Sequence, residues 1–580
     1  MALFAPSESP AVIVKEIDLT GTVPNVQSST GAYVGRFRWG ATAEVRLITN
    51  EAGLVDTFAS PDDAHSVDFH SASYFLRYSN SLKVVRMHNG ANNAHGGASY
   101  DSNLSIAIGN QVDFDTQEAQ LNTDNVGYVA KYPGTLGNSL AVHTFALDSA
   151  GSTAELANWT YGTHFNVAPT TSQTATDDTA THDEVHVVVV DEDGKISGTK
   201  GAVLETYEHL SVASNGKNTD GSTNYFKEVI NRNSKWLWVG DPTQTGLGSN
   251  AGSPTSPGLD FKAGRTTALR NFSMADGDDG SALTTSNVLA GYDKYEDVNT
   301  QEVDFLIAPG MLNASDQQTV VNDLVATASS LRKDCVAVTS PDRAAVVANV
   351  GSEVTSSVAT AANFTKSSYL VVDNQYLKVF DKYNDKFIQI PAASSTAGLM
   401  AATDRDAAPF FSPAGTRRGK LLGVTSLAYE PVKADRDTLY KAGINPITNM
   451  PGEGIILFGD KTHETRPSAF DRINVRRLFL VLERAIARAA RQTIFEFNDE
   501  FTRAEFVGIV EPVLRNVQGR RGITDFKIVC DETNNGPEIV DTNQFVANVF
   551  IKPARSINFV TLNFVGVRSG VEFSEVVGTV

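Results

Sequence analysis

The sequence predicts a multidomain protein of mixed α/β and α+β class: an α/β core, an inserted mostly β domain, and extended arms at both ends. Three observations carry this reading. The 580 residues exceed what a single hydrophobic core supports, so several domains of roughly 100–200 residues are expected. Two blocks, 31–88 and 301–430, mix helix-period and strand-period apolar patterns. Between them, residues 89–300 turn to Asn, Gly, Ser, Thr and Asp, with turn signals between short β-branched runs.

Taken in order, Ala11–Asp18 (AVIVKEID) reads as a short strand bounded by Pro10 and the Gly21/Pro24 region, so 1–30 form an arm and linker. The α/β block opens with GAYVGRFRWG (Gly31–Gly40). It continues with a helix near Asn50–Phe58, a second helix over Ser71–Ser79 and a strand over Leu82–Met87. The insertion carries turns at Asp193-Gly194, Asp220-Gly221 and Asp279-Gly280. From His88 to Gly194 one basic residue, Lys131, stands against 14 acidic ones, which describes a solvated outer face.

After the insertion, Val303–Ala308 reads as a buried strand, Ala314–Arg332 as a helix and Cys335–Val338 as a second strand, a βαβ unit. The last domain, 431–580, carries a helix over Asn474–Gln492 and strands near Phe526–Cys530, Gln544–Ile551 and Asn558–Val565. It ends in an arm, 566–580, whose VEFSEVV follows Ser569-Gly570.

Charge bounds the partners. The formal net charge is −19, which argues against nucleic acid, since proteins that neutralise phosphates present a basic stripe. Asp471–Val580 holds 14 basic and 14 acidic residues, so the first 470 residues, with 34 basic against 53 acidic, carry the whole excess. Cys335 and Cys530 are too few for a disulfide framework and lack zinc spacing; both are expected to be reduced and buried. The start has no basic n-region, and no stretch approaches the ~20 apolar residues of a membrane span, so a soluble protein made in the cytoplasm is expected.

On the C-terminal helix, Val475, Leu478, Phe479, Leu482, Ile486 and Ala489 share one face, and Arg477, Arg484, Arg488 and Arg491 fall opposite. Only Glu483 offers a nearby carboxylate, so pairing within the helix does not account for the stripe. It reads either as a solvated surface or as a dock for an acidic protein.

The terminal arms read either as strands of their own domain or as strands donated to a neighbour's sheet, a head-to-tail contact that builds rings or filaments. Gly415-Thr-Arg-Arg-Gly419-Lys420-Leu421 has one residue too few between its glycines for a phosphate loop and no Ser/Thr after the lysine. His182 and His186 sit on a strand pattern, about 13 Å apart, too far for one zinc ion. Asp191–Gly194 and Asp276–Gly280 lack the closing glutamate of a calcium loop and read as hairpin turns. No GxSxG elbow occurs. No catalytic, cofactor-binding or metal residues are assigned, and no enzyme is expected.

Several runs are specific enough to carry a family. GDKTHETRPSAFDRINVRRLF (Gly459–Phe479), FEFNDEFTRAEF (Phe495–Phe506), VCDETNN (Val529–Asn535) and FIKPARSINFVTLNF (Phe550–Phe564) resemble the tail sheath proteins of T-even-type contractile-tailed bacteriophages. WGATAEVRLITNEAGLVDTF (Trp39–Phe58), YPGTLGN (Tyr132–Asn138), DKYND (Asp381–Asp385) and SPAGTRRG (Ser412–Gly419) add upstream matches. Asn89–Tyr128 and Ala141–Thr300 match poorly, and the middle is shorter than in the T-even type, which implies a reduced outer domain.

The resemblance implies a structural subunit with no cofactor. It would form a helical stack of hexameric rings around a tail tube, bounded by baseplate and tail terminator proteins, that contracts without nucleotide to drive the tube through the host envelope. The protein would reside in the virion. The resemblance makes Val12, Ile13 and Val14, with Val571, Phe573 and Val576, the inter-subunit arms, joined through Leu19–Thr30 and Gly566–Gly570. It also turns the C-terminal domain, and with it Arg477, Arg484, Arg488 and Arg491, toward the tube. Two alternatives stay open: the sheath of a non-phage contractile injection system, and a glycan-processing protein built on the β-rich middle.

Overall fold

The computed structural model describes residues 29–98, 104–148 and 153–556; the arms Val12–Val14 and Val571–Val576, and the strand expected over Asn558–Val565, lie outside them. The chain divides into two compact units, a larger one of 25–409 and 413–484 and a smaller one of 1–24, 410–412 and 485–580.

The larger unit opens with β1 (Gly31–Gly35), β2 (Val45–Ile48) and α1 (Glu51–Phe58), whose N-cap Asn50 side chain accepts from the Gly53 N–H. Next come α2 (Ser66–Leu76) and β3 (Leu82–Arg86). The second helix begins five residues before the expected Ser71. Its start signal is Asp62, whose carboxylate accepts from the N–H groups of Ala64 and His65 just ahead of the first turn.

The insertion supplies β4 (Leu140–Phe145), β5 (Glu184–Asp191), β6 (Ala202–Ser211) and β7 (Leu269–Ser273). They form an antiparallel sheet of order β7-β4-β5-β6 with its own core around Val142, Val187, Val189, Phe226 and Leu237. Helices also occur, among them Gln111–Thr123 and Phe226–Asn233.

The core resumes earlier than composition indicated. Helix α3 (Thr285–Tyr292), opened by a capping box between Thr284 and Asn287, sends Val288 and Tyr292, followed by Tyr295, into the same core as Val34 and Leu306. Then follow β8 (Phe305–Ile307), α4 (Ala314–Ala326), β9 (Val336–Thr339) and β10 (Leu370–Val372). The expected βαβ unit is present, with β8 and β9 parallel; the end of its expected helix, Thr327–Arg332, is π-helical. The main sheet runs β10-β9-β8-β1-β3-β2, parallel except for β2.

Helix α5 (Ala393–Asp406) and the first half of α6 (Ile473–Ala490) contribute Ala397, Met400, Ile473 and Leu480 to the core against Phe305 and Val338. Residues 431–484, expected in the C-terminal domain, therefore belong to the larger unit. Their apolar residues Leu439, Ile444, Ile447 and Leu457 pack with Val372 and Leu377, and the division falls inside α6.

The insertion is fastened to the α/β core by buried groups. Trp39, just past β1, lies in the insertion's own core, 5.3 Å from the Trp236 ring and 5.4 Å from Tyr132. The fully buried Arg86 guanidinium donates to the carbonyls of Phe37 and Gly40 on one side and Pro133 on the other. Arg36 donates to the carbonyls of Asp279 and Gly280, and the Asp279 carboxylate accepts from the Thr135 amide and hydroxyl.

Two buried imidazoles make the larger unit acid-sensitive. His186 Nε2 donates to Val167 O while Nδ1 accepts from the His209 N–H, an arrangement that needs the neutral ring. Burial holds its pKa down to about 4. His463 is also lowered to about 4, by burial and then by the Lys366 ammonium 2.7 Å away. Because both folded values lie below the unfolded 6.5, this stability is present above pH 6.5 and is lost as pH falls toward 4. Each should cost ~2 kcal/mol at pH 5. A His186→Gln chain should lose less melting temperature between pH 7 and pH 5 than the native chain.

The smaller unit is built on α7 (Glu500–Gly519), capped by Asp499, which buries Phe506, Val510 and Leu514. A two-stranded antiparallel sheet follows, β11 (Ile523–Val529) with β12 (Asn548–Pro553). The second strand starts four residues later than the expected Gln544, because Val546 is held by side chains: Asn535 Oδ1 accepts its N–H, and the Asn534 and Asn535 amides donate to its carbonyl. Cys335 is buried, and Cys530, expected to be buried, is half-buried in this unit.

Candidate functional site

Helix α6 carries every arginine of the expected stripe except Arg491, which follows in a short 3-10 turn. The structure divides the four. Arg477 is 4% exposed and makes a two-pronged ion pair with Asp404 of α5, Nη1 donating to Oδ1 at 2.9 Å and Nη2 to Oδ2, with its guanidinium 4.3 Å over the Phe305 ring. Arg484 donates to Asp304 Oδ1 at 2.7 Å and to the Asp334 carbonyl at 2.7 Å. Burial pulls the Arg484 pKa down, but the carboxylates of Asp304 and Asp334, with Cys335, together hold the guanidinium above its ordinary value.

The outward stripe expected over all four is thus corrected: Arg477 and Arg484 point into the α/β core, toward carboxylates on other elements. Arg488 is half-buried and Arg491 exposed. Two neighbours behave like the first pair. Arg476 lies 4.0 Å over Phe470 and 4.2 Å over Tyr369 and donates to Ser368 Oγ, and Arg472 donates to Asp460 and Tyr440. Sequence reasoning missed Asp304, Asp334 and Asp404 because they lie 180, 150 and 73 positions from their arginines.

The other candidates resolve into structure. Gly415 takes a left-handed φ of +87° that suits glycine, and the loop ends in an isolated bridge from Lys420 to Ile456 instead of a helix N-terminus, so no phosphate cradle forms. His182 pairs with Asp260 at 3.0 Å, apart from the buried His186. Asp191 is locked in its turn by Ser139 Oγ and the Ile196 and Ser197 amides. The segment Asp276–Gly280 is not a hairpin turn: with Ala275 it pairs with 89–95 through bridges at Asn92–Asp278 and His95–Ala275, Gly280 permitting close approach of the Asn89 and Ala91 backbone and Gly277 that of the Gly134 carbonyl.

Asp62, His65 and Asp279 bring ligand atoms within 4.8 Å of one another. His65 Nδ1 already lies 2.6 Å from Asp62, Thr135 donates twice to Asp279, and the Arg38 guanidinium stands 3.6 Å from Asp62. The cluster is wired as an ion-pair node. Among the described residues no helix is long and apolar enough to cross a membrane.

What remains distinctive is architectural: an α/β core with a fastened insertion, a helix bound to that core by arginine–carboxylate ties, and a small C-terminal sheet. Solved structures share this fold. The sheath tail protein from Listeria innocua superposes with a TM-score of 0.55 at 11% identity over 92% of this chain and 93% of its own. The one from Desulfitobacterium hafniense gives 0.52 at 12% identity over 94% and 100%.

In sequence, residues 282–463 match the phage tail sheath protein central domain and residues 465–565 the phage tail sheath C-terminal domain. The tail sheath protein of Salmonella phage ViI is 30% identical over 99% of this chain and 98% of its own length. That of Enterobacteria phage T4 is 29% identical over 98% and 99%. The chain belongs to the phage tail sheath protein family.

Proposed function

We propose that this chain is the sheath subunit of a contractile phage tail. It polymerises into a helical stack of hexameric rings around the tail tube and contracts to drive the tube through the host envelope for genome ejection. The observation that carries the reading is near-full-length likeness to phage tail sheath proteins. The sheath meets the baseplate at one end and the terminator protein at the other, is made in the host cytoplasm and resides in the virion. It performs no reaction and contacts neither nucleic acid nor membrane.

Contraction of this kind needs rigid bodies that repack against one another while staying linked. The buried arginine–carboxylate ties and the fastened insertion support a rigid larger unit. The β11–β12 pair supports donated arms: among the described residues it is two strands with no third on either side, and such edges accept a strand through main-chain hydrogen bonds. Val12–Val14 and Val571–Val576 are the donors in this reading.

Tube contact falls to Arg491, the exposed member of the stripe. Replacing Arg491 with glutamate should reduce loading of sheath onto isolated tail tubes, with little change in melting temperature. Negative-stain microscopy with tubes at low and moderate salt measures this, and equal loading would contradict it.

A further inference from the structure

The smaller unit carries a surface feature that neither the arms nor the tube contact uses. Between α6 and the first turn of α7 the chain exposes Ile494, Phe495, Phe497 and Phe501 at 55, 103, 84 and 77%. Phe495 is held at φ +75°, a left-handed conformation that is strained for a bulky residue. Glu496, Asp499 and Glu500, all exposed, stand among these apolar side chains. Clustered exposed aromatics with a polar rim mark an interaction site.

The complement lies on the same unit. Helix α7 begins at this patch and, at 20 residues, carries the chain ~30 Å away. At its far end Arg515, Arg520 and Arg521 are exposed, Arg515 pairing along the helix with Glu511, and the half-buried Phe410 and Phe411 lie at the same end. Arg520 lies 5.5 Å over the Phe410 ring, and the two phenylalanine rings are 5.1 Å apart. An aromatic patch rimmed by acid fits an aromatic patch rimmed by arginine, through ring–ring, cation–π and carboxylate–guanidinium contacts.

We infer that the Phe495/Phe497/Phe501 patch of one copy docks on the Arg515/Arg520/Arg521 end of α7 in a second copy. The two ends are held apart by a helix, so one copy cannot satisfy both. The contact is head-to-tail and does not close between two copies, which is the geometry of a ring or helical stack. This rests on the sheath reading above and names a contact within it.

The test uses three full-length variants: Phe495→Ser/Phe497→Ser/Phe501→Ser, Glu496→Arg/Glu500→Arg, and Arg515→Glu/Arg521→Glu. All the altered side chains are exposed, and thermal melting confirms that each folds. The critical concentration for polymerisation is read by light scattering and microscopy. Each variant alone should raise it roughly tenfold or more. An equimolar mixture of the two charge-reversed chains should return it to the native value, because each then finds its complement on the other.

Native-like polymerisation of the variants, or a mixture that stays impaired, overturns the inference. Normal self-assembly with loss of loading on isolated tubes assigns the patch to the tube instead and overturns it equally. A native chain that forms no polymer contradicts the sheath reading on which the contact rests.

Discussion

Replacing Asp404 with alanine should lower the unfolding free energy of the larger unit by about 3–5 kcal/mol, because the Arg477 guanidinium is then buried without its carboxylate. Both side chains of the pair are nearly excluded from solvent, at 5% for Arg477 and 4% for Asp404, so water cannot replace the lost partner. The double variant Arg477→Met/Asp404→Leu should recover much of the loss, since a packed apolar pair needs no compensation. Denaturant unfolding of the two chains decides this. If Asp404→Ala costs under about 1 kcal/mol, the tie behaves like a surface ion pair and does not hold α6 to the core.

The second large effect is expected at Trp39. Truncation to alanine removes a side chain packed in the insertion's core from outside the insertion, and should cost about 3–5 kcal/mol. Its consequence should be local as well as global. Amide hydrogen exchange should speed up around Tyr132–Leu136 and Trp236, where the ring packs and where Arg86 and Asp279 bind the insertion. Protection there equal to that of the native chain would mean that the insertion is anchored without Trp39.

Local signals were readable in the sequence. The helix near Asn50–Phe58, the βαβ run from Val303 to Val338 and the apolar face of α6 each depend on residues a few positions apart, where periodicity acts. Two things were less readable, one because a polar average hid a local signal and one because the partners are distant in sequence. The insertion's end was placed by composition at 300, yet Thr284 with Asn287 forms a capping box and Val288 and Tyr292 pack on β1, so a local helix signal outranked the polar average.

The arginine stripe shows the other limit. A helical wheel gives the direction of Arg477 and Arg484 relative to the helix axis, but not what lies there, and Asp404 and Asp304 arrive from distant strands and helices. The runs that carry the family resemblance have structural explanations of their own. VCDETNN clamps Val546 through Asn534 and Asn535, and FEFNDEF holds both the Asp499 cap of α7 and the exposed aromatic patch.

The most direct test of the whole account is electron microscopy of the purified full-length chain, alone and with tail tubes, beside chains lacking 1–30 or 566–580. Hollow polymers with sixfold end-on symmetry from the full chain, and none from the truncated chains, are the predicted result. Monomers under every condition, or identical polymers with and without the arms, would contradict it.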